Sequence, residues 1–256
     1  MEEANIIDAE IVLDIVYHER PMHLNAVDFL NRYGKQGLAI ESNVNRLCQR
    51  RILKQVGRFS REFGEMMGEK GDNTGNLSLW DQTHISGREK LLENFKEKIG
   101  ESISINDIGY RRFVISIIER AKPHIIMMDR PHIRQYLQII PATLTDYLST
   151  GIKENFSYLV PVNSADGKDT VNTRRELYEY LSNTLGENAM TIANLIGLVL
   201  YGNSSGKKYI SINFFTWDQK FVENFGKIKD DMGLERLNNG KQVKAALSSI
   251  NFEKPY

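Results

Sequence analysis

The sequence predicts a mainly α protein, with an N-terminal domain over residues 1–63, a glycine-rich connection over 64–87 and a larger helical domain with a few strands over 88–256. Three observations carry this reading. Apolar residues recur at helical spacing along most of the chain. Only two short runs have the β-branched and aromatic content of strands. Finally, Gly64, Gly68, Gly71, Gly75 and Gly87 break up a polar stretch and mark a boundary.

Composition narrows the function classes. Hydrophobic residues make up 41% of the 256, enough to bury a core, while 33 Lys+Arg balance 33 Asp+Glu. A protein that coats nucleic acid by bulk charge is excluded, and any such contact must come from a local patch. The acidic start Met1-Glu2-Glu3 lacks the basic region of a secretory signal, so export is not expected. The longest apolar run, Met190 to Tyr201, contains Asn194 and is too short to span a bilayer, so no membrane partner is expected. One cysteine, Cys48, can form neither an internal disulfide nor a cysteine zinc site, and a cytoplasmic location is the expectation.

Ile7, Ile11, Ile15 and Val16 form the apolar stripe of a first helix that should end near His18 to Pro21. A second helix follows, with Asn25 as its cap and Ala26, Phe29, Leu30 and Tyr33 on its inner face; Gly34 to Gly37 ends it. The third element runs from about Ile40 to Arg51. Its Val44, Leu47 and Cys48 point inward, while Ser42, Asn45 and Gln49 form one outward row and Asn43, Arg46 and Arg50 another. Asn and Gln suit adenine edges, Arg suits guanine, and Ser suits bases or phosphates. Between Ile40 and Arg61, six basic residues (Arg46, Arg50, Arg51, Lys54, Arg58 and Arg61) face the single acid Glu41. Such a patch could bind phosphates through Lys54, Arg58 and Arg61, and it could equally be a solvated helix face.

The stretches Ala9 to Asn25 and Ser42 to Val56 resemble the winged helix-turn-helix superfamily of MarR-like and archaeal regulators. The resemblance implies two helices, a recognition helix and a wing, with Leu47 packed on the first helix and Ile52-Leu53 entering the wing. It assigns groove contacts to Ser42, Asn43, Asn45, Arg46, Gln49 and Arg50, and wing contact to Arg58. Phe59, Arg61 and Phe63 alternate as a return strand would, and the same residues also read as part of another helix.

Beyond the connection, Leu91, Leu92, Phe95 and Ile99 recur at helical spacing, as do Val114, Ile117, Ile118 and Ala121. Pro123, Pro131 and Pro141 predict several short helices with proline near their starts. Further helices are expected over 173–185, 188–200, 218–227 and 241–250, and strands over 156–162 and 208–217. Arg111, Arg112, Arg120, Lys122, Arg130 and Arg134 form a second basic cluster, read more simply as exposed faces of amphipathic helices than as a single-strand groove. No metal site is assigned, because His124, Asp129 and His132 lack compact spacing. The loop Gly202 to Lys208 has too few residues between its glycines for a phosphate loop.

These readings point to a regulatory or DNA-maintenance protein that binds double-stranded DNA through the third helix. Its C-terminal domain would serve dimerisation or partner binding, and neither catalysis nor a cofactor is required. The homodimer is an expectation from how such domains engage paired half-sites. One alternative is a non-enzymatic scaffold in a viral, defence or chromosome-maintenance assembly. The other is a magnesium-dependent nuclease, in which Asp218-Gln219-Lys220 follows one strand and Asp166 follows the other; Asp218 would equally serve as a helix cap.

Overall fold

The computed structural model describes residues 2–18, 20, 22–34, 37–67, 79–102, 108–159 and 168–255. The chain begins with β1 (Glu2–Ile7), α1 (Ala9–Val16), α2 (His23–Tyr33), β2 (Leu38–Glu41) and α3 (Ser42–Met66). Four helices follow: α4 (Leu79–Gln82), α5 (Ile85–Ser102), α6 (Ile108–Ile125) and α7 (Arg130–Asn155). The remainder comprises β3 (Ser157–Leu159), α8 (Lys168–Leu185), α9 (Ala189–Tyr201), β4 (Tyr209–Phe215), α10 (Gln219–Lys229), α11 (Gly240–Ser248) and β5 (Ile250–Glu253). The protein is therefore mainly α with a few strands. Among the described residues, no helix is long and apolar enough to cross a membrane.

The strands form one five-stranded sheet in the order β3-β2-β1-β4-β5, with every neighbouring pair parallel. Three of the strands lie where the sequence predicts none, β5 opening at Ile250, the expected end of the last helix. Ile7 belongs to β1 and not to the first helix, and Leu38 to Glu41 form β2. β2 has only four residues, all buried, so it lacks the alternation of a half-exposed strand, and β1 opens on two exposed glutamates. Helix α3 also runs on through the expected wing. Ile52, Val56, Phe59 and Phe63 recur at helical spacing and are all buried, whereas Leu53 and Arg61 are exposed. That spacing lets one apolar stripe continue to the end of the helix. Proline placement differs as well: Pro123 and Pro141 lie inside α6 and α7, so the α7 carbonyl four residues before Pro141 loses its usual helical donor.

The chain divides into two compact units, each discontinuous in sequence: residues 1–13, 25–48 and 152–256, and residues 14–24 and 49–151. The first holds the sheet. Ile6, Ile212, Phe214 and Ile250 share a core with Leu177 and Leu181 of α8, Ile192 and Leu195 of α9, Phe221 and Phe225 of α10, and Val243 and Leu247 of α11. Toward α2, Phe215 packs its ring against Phe29 and Tyr33, at centroid distances of 4.9 and 5.1 Å. Each such buried side chain contributes about 1.5–3 kcal/mol of transfer free energy.

The second unit is helical. Phe63 stacks on Phe59 at 5.4 Å and meets Trp80 edge-on at 5.6 Å, while Tyr17 donates its hydroxyl to the Leu144 carbonyl at 2.6 Å. Helix α7 approaches Val16 closely at Gly151, where a Cβ would lie 2.9 Å from both Val16 methyl carbons. Gly151→Ala is expected to destabilise the fold by about 1–3 kcal/mol through overpacking, and Val16→Ala in the same chain should restore most of that loss. Urea denaturation of the two variants checks this; equal stability of Gly151→Ala and the parent would refute the close approach.

Candidate functional site

The residues assigned to a DNA-reading helix do not share one environment. Arg46, Arg50, Lys54 and Arg61 are exposed on α3, and Ser42, Asn45 and Gln49 are half-buried. Asn43 is only 5% exposed and cannot present its amide to a base edge. It does not belong to an outward row because its side chain turns toward α9, donating to Thr191 Oγ1 at 3.1 Å. Arg58 is no wing residue: it pairs with Glu62 at 2.8 Å and lies 3.8 Å over the Tyr110 ring. In the second basic cluster, Lys122 bonds Glu93 at 3.0 Å and Arg120 stacks over Tyr147 at 4.5 Å, so these two charges support helix packing.

A different group of residues gathers at the carboxyl edge of the sheet. In open parallel sheets, ligands bind outside the carboxyl ends of the strands where the strand order reverses, here between β1 and β4. Three strand-to-helix turns reach this edge, and each carries an acid: Asp8 between β1 and α1, Glu41 at the end of β2 before α3, and Asp218 between β4 and α10. Register relates the first two. Asn5 pairs with Leu38 and Ile6 with Ala39, so the same register carried onward sets Asp8 level with Glu41. On the other side Ile7 pairs with Phe215, which sets Asp8 level with Thr216.

The hydrogen bonds follow that alignment. Thr216 donates its hydroxyl to Asp8 Oδ2 at 2.8 Å and accepts the backbone N–H of Asp218 at 3.0 Å, so one hydroxyl joins both acidic turns. Asp8 Oδ1 takes the N–H of Ala9 at the start of α1. Asp218 Oδ1 accepts from Phe221 N at 2.9 Å and caps α10, the capping role its sequence position allows. Lys220 is exposed on the first turn of α10, and Asp166 lies outside the described residues.

Glu41 is the least ordinary member. It is 0% exposed, and three donors converge on its Oε1: the Ser42 hydroxyl and the Asn194 amide at 2.6 Å each, and the Asn43 N–H at 2.8 Å. Its other oxygen, Oε2, is buried with no hydrogen-bond partner. Burial pushes the carboxyl from 4.5 up to about 7 against the opposing pull of Ser42, Asn43, Asn194 and the Arg46 charge. The Glu41 charge also reaches Arg174 on α8, where burial pulls the guanidinium below its usual range. A carboxyl that titrates near neutrality beside an unfilled acceptor can hold a proton, a cation or a water.

Among the described residues, no group of three or more His, Cys, Asp or Glu side chains is placed to hold a metal ion. Sequence reasoning assigned no role to Asp8, Glu41, Asn194 or Thr216. One local signal was available: Ile6-Ile7-Asp8, Ala39-Ile40-Glu41 and Phe214-Phe215-Thr216-Trp217-Asp218 each place an acid just after an apolar run. Comparisons with protein-family models, curated proteins and solved structures return no match.

Proposed function

We propose that the protein hydrolyses phosphodiester bonds in nucleic acid at the carboxyl edge of its sheet, with one or two of the acids Asp8, Glu41 and Asp218 holding a divalent cation whose remaining positions substrate phosphate and water would fill. The observation that carries this reading is Glu41 Oε2, a buried carboxylate oxygen without a partner, on a residue that register sets level with Asp8. All three candidate ligands are hard oxygen donors, which fits magnesium. That ion is usually held by one or two carboxylates and completed by substrate phosphate and water, so an all-protein cage is not required. When bound, it would neutralise phosphate charge and lower the pKa of a coordinated water. The chain's own contribution is to hold the acids in place: Thr216 fixes Asp8 relative to the Asp218 turn, and Asn194 fixes the Glu41 carboxyl. The exposed Arg46 of α3, in the same unit as the acidic edge, adds a positive charge suited to the phosphodiester of a nucleic acid.

Incubating fluorescein-labelled single-stranded RNA, single-stranded DNA and duplex DNA with magnesium tests the reading. Asp8→Asn and Asp218→Asn keep the side-chain size and a capping oxygen, and each should lower cleavage about a hundredfold or more. Duplex binding without cleavage would favour the regulatory DNA-binding reading instead. Neither binding nor cleavage would leave the scaffold reading.

A further inference from the structure

Building on the hydrolytic reading, we infer that Arg46 is the phosphate anchor of this site and that Asn43 is the positioning residue that aims it. The Arg46 guanidinium donates from both Nε, at 3.0 Å, and Nη2, at 2.7 Å, to the single oxygen Asn43 Oδ1. These two bonds fix the plane of the group. Asn43 is itself held from two sides, its amide on Thr191 Oγ1 and its backbone N–H on Glu41 Oε1. A chain of hydrogen bonds therefore runs from α9 through a buried amide to an arginine at the surface.

The chemistry of that amide matters. A guanidinium held by a carboxylate has its charge neutralised, as Arg58 has from Glu62. Arg46 is instead held by a neutral carbonyl oxygen, so its orientation is set while its positive charge is kept, and the residue is exposed. Asn43 links Arg46 to Glu41, holding the guanidinium through Oδ1 and donating its backbone N–H to Glu41 Oε1. A guanidinium pre-oriented by a neutral amide beside an acidic edge matches a phosphodiester whose other oxygens are shared with a cation. An isolated carboxylate ligand would gain the arginine and meet the repulsion of Glu41 and Asp8.

The test measures anisotropy of fluorescein-labelled single-stranded RNA and DNA in magnesium, using the 256-residue chain carrying Asp218→Asn to suppress cleavage. Adding Arg46→Gln should weaken binding about tenfold. Adding Asn43→Asp, which keeps the shape but supplies the neutralising charge, should weaken it to a similar extent with Arg46 still present. In the cleaving parent, Arg46→Gln should raise KM and leave kcat nearly unchanged. The RNA and DNA arms tell which polynucleotide supplies the phosphate. Loss of binding in both variants, with no cleavage by the parent, would refute hydrolysis and uphold the anchor. Cleavage by the parent with KM and binding unchanged in Arg46→Gln would refute the anchor and uphold hydrolysis. Unchanged binding in Asn43→Ala, which removes the acceptor that orients Arg46, would overturn the positioning role; unchanged binding in Asn43→Asp would overturn the requirement for a neutral acceptor, and no binding by the parent at low salt would overturn the anchor itself.

Discussion

Glu41→Gln is expected to abolish magnesium-dependent cleavage and at the same time make the protein more stable at pH 8. The carboxyl is fully buried, and its folded-state value of about 7 lies above the ordinary 4.5. For an acid raised in this way, the folded state binds the proton more tightly than the unfolded state does. The stabilisation is therefore fully present below the unfolded value, about pH 4.5, and is lost as pH rises through about 7. Carrying the charge at pH 8 costs about 3 kcal/mol on this basis. Glutamine retains an oxygen for Ser42, Asn43 and Asn194 and carries no charge, so a net gain of about 2 kcal/mol is expected at pH 8, shrinking to nothing near pH 4. Chemical denaturation in EDTA at the two pH values reads this out. A loss of stability of the same size at both would mean that the carboxylate is not strained and would remove the main support for the site. In the wild type, magnesium should recover part of the lost stability by binding the folded state, and in Glu41→Gln it should recover less.

Arg20→Met is expected to be among the most damaging single substitutions in the helical unit, costing about 3–5 kcal/mol. Arg20 Nε lies 2.6 Å from Asp14 Oδ1, and the two side chains are 2% and 0% exposed. Removing the guanidinium deprives a buried carboxylate of its compensating charge, and nearby solvent cannot replace it. The double variant Asp14→Leu/Arg20→Met should recover most of the loss, since an apolar pair of similar volume avoids the desolvation of both ions. Urea midpoints for the parent, the single and the double variant decide the matter. A single variant as stable as the parent would show that the pair carries no net weight.

Much of the helical part of this protein is legible in residue spacing. Val44, Leu47 and Cys48 are buried as their i, i+3, i+4 positions require, and Ala26 and Phe29 form the buried face of α2. The β4 strand is legible too, because Tyr209 to Phe215 combines β-branched and aromatic residues after a polar turn. The end of α3 is ambiguous in sequence because Phe59, Arg61 and Phe63 satisfy an alternating pattern as well as a helical one. Burial of Ile52 and Val56 on the same stripe decides for helix.

The candidate site is a different matter. Asp218 stands out in sequence as an acid after a recognisable strand, but Asp8 follows a strand whose apolar part is only Ile6-Ile7, and Glu41 follows one buried along its whole length. The acid after a short apolar run is the one local signal there, and a turn of helix can carry the same pattern.

The sequence by itself determined the mainly α character, the inner faces of the helices and the cap at Asp218, because each depends on neighbours within a few positions along the chain. Only the tertiary structure decided that β1 and β2 are strands, that Asn43 points inward and that Glu41 is buried against Asn194 from α9. Parallel strands pair only through long connections, so both the sheet and the electrostatics of its carboxyl edge arise from residues far apart in the chain.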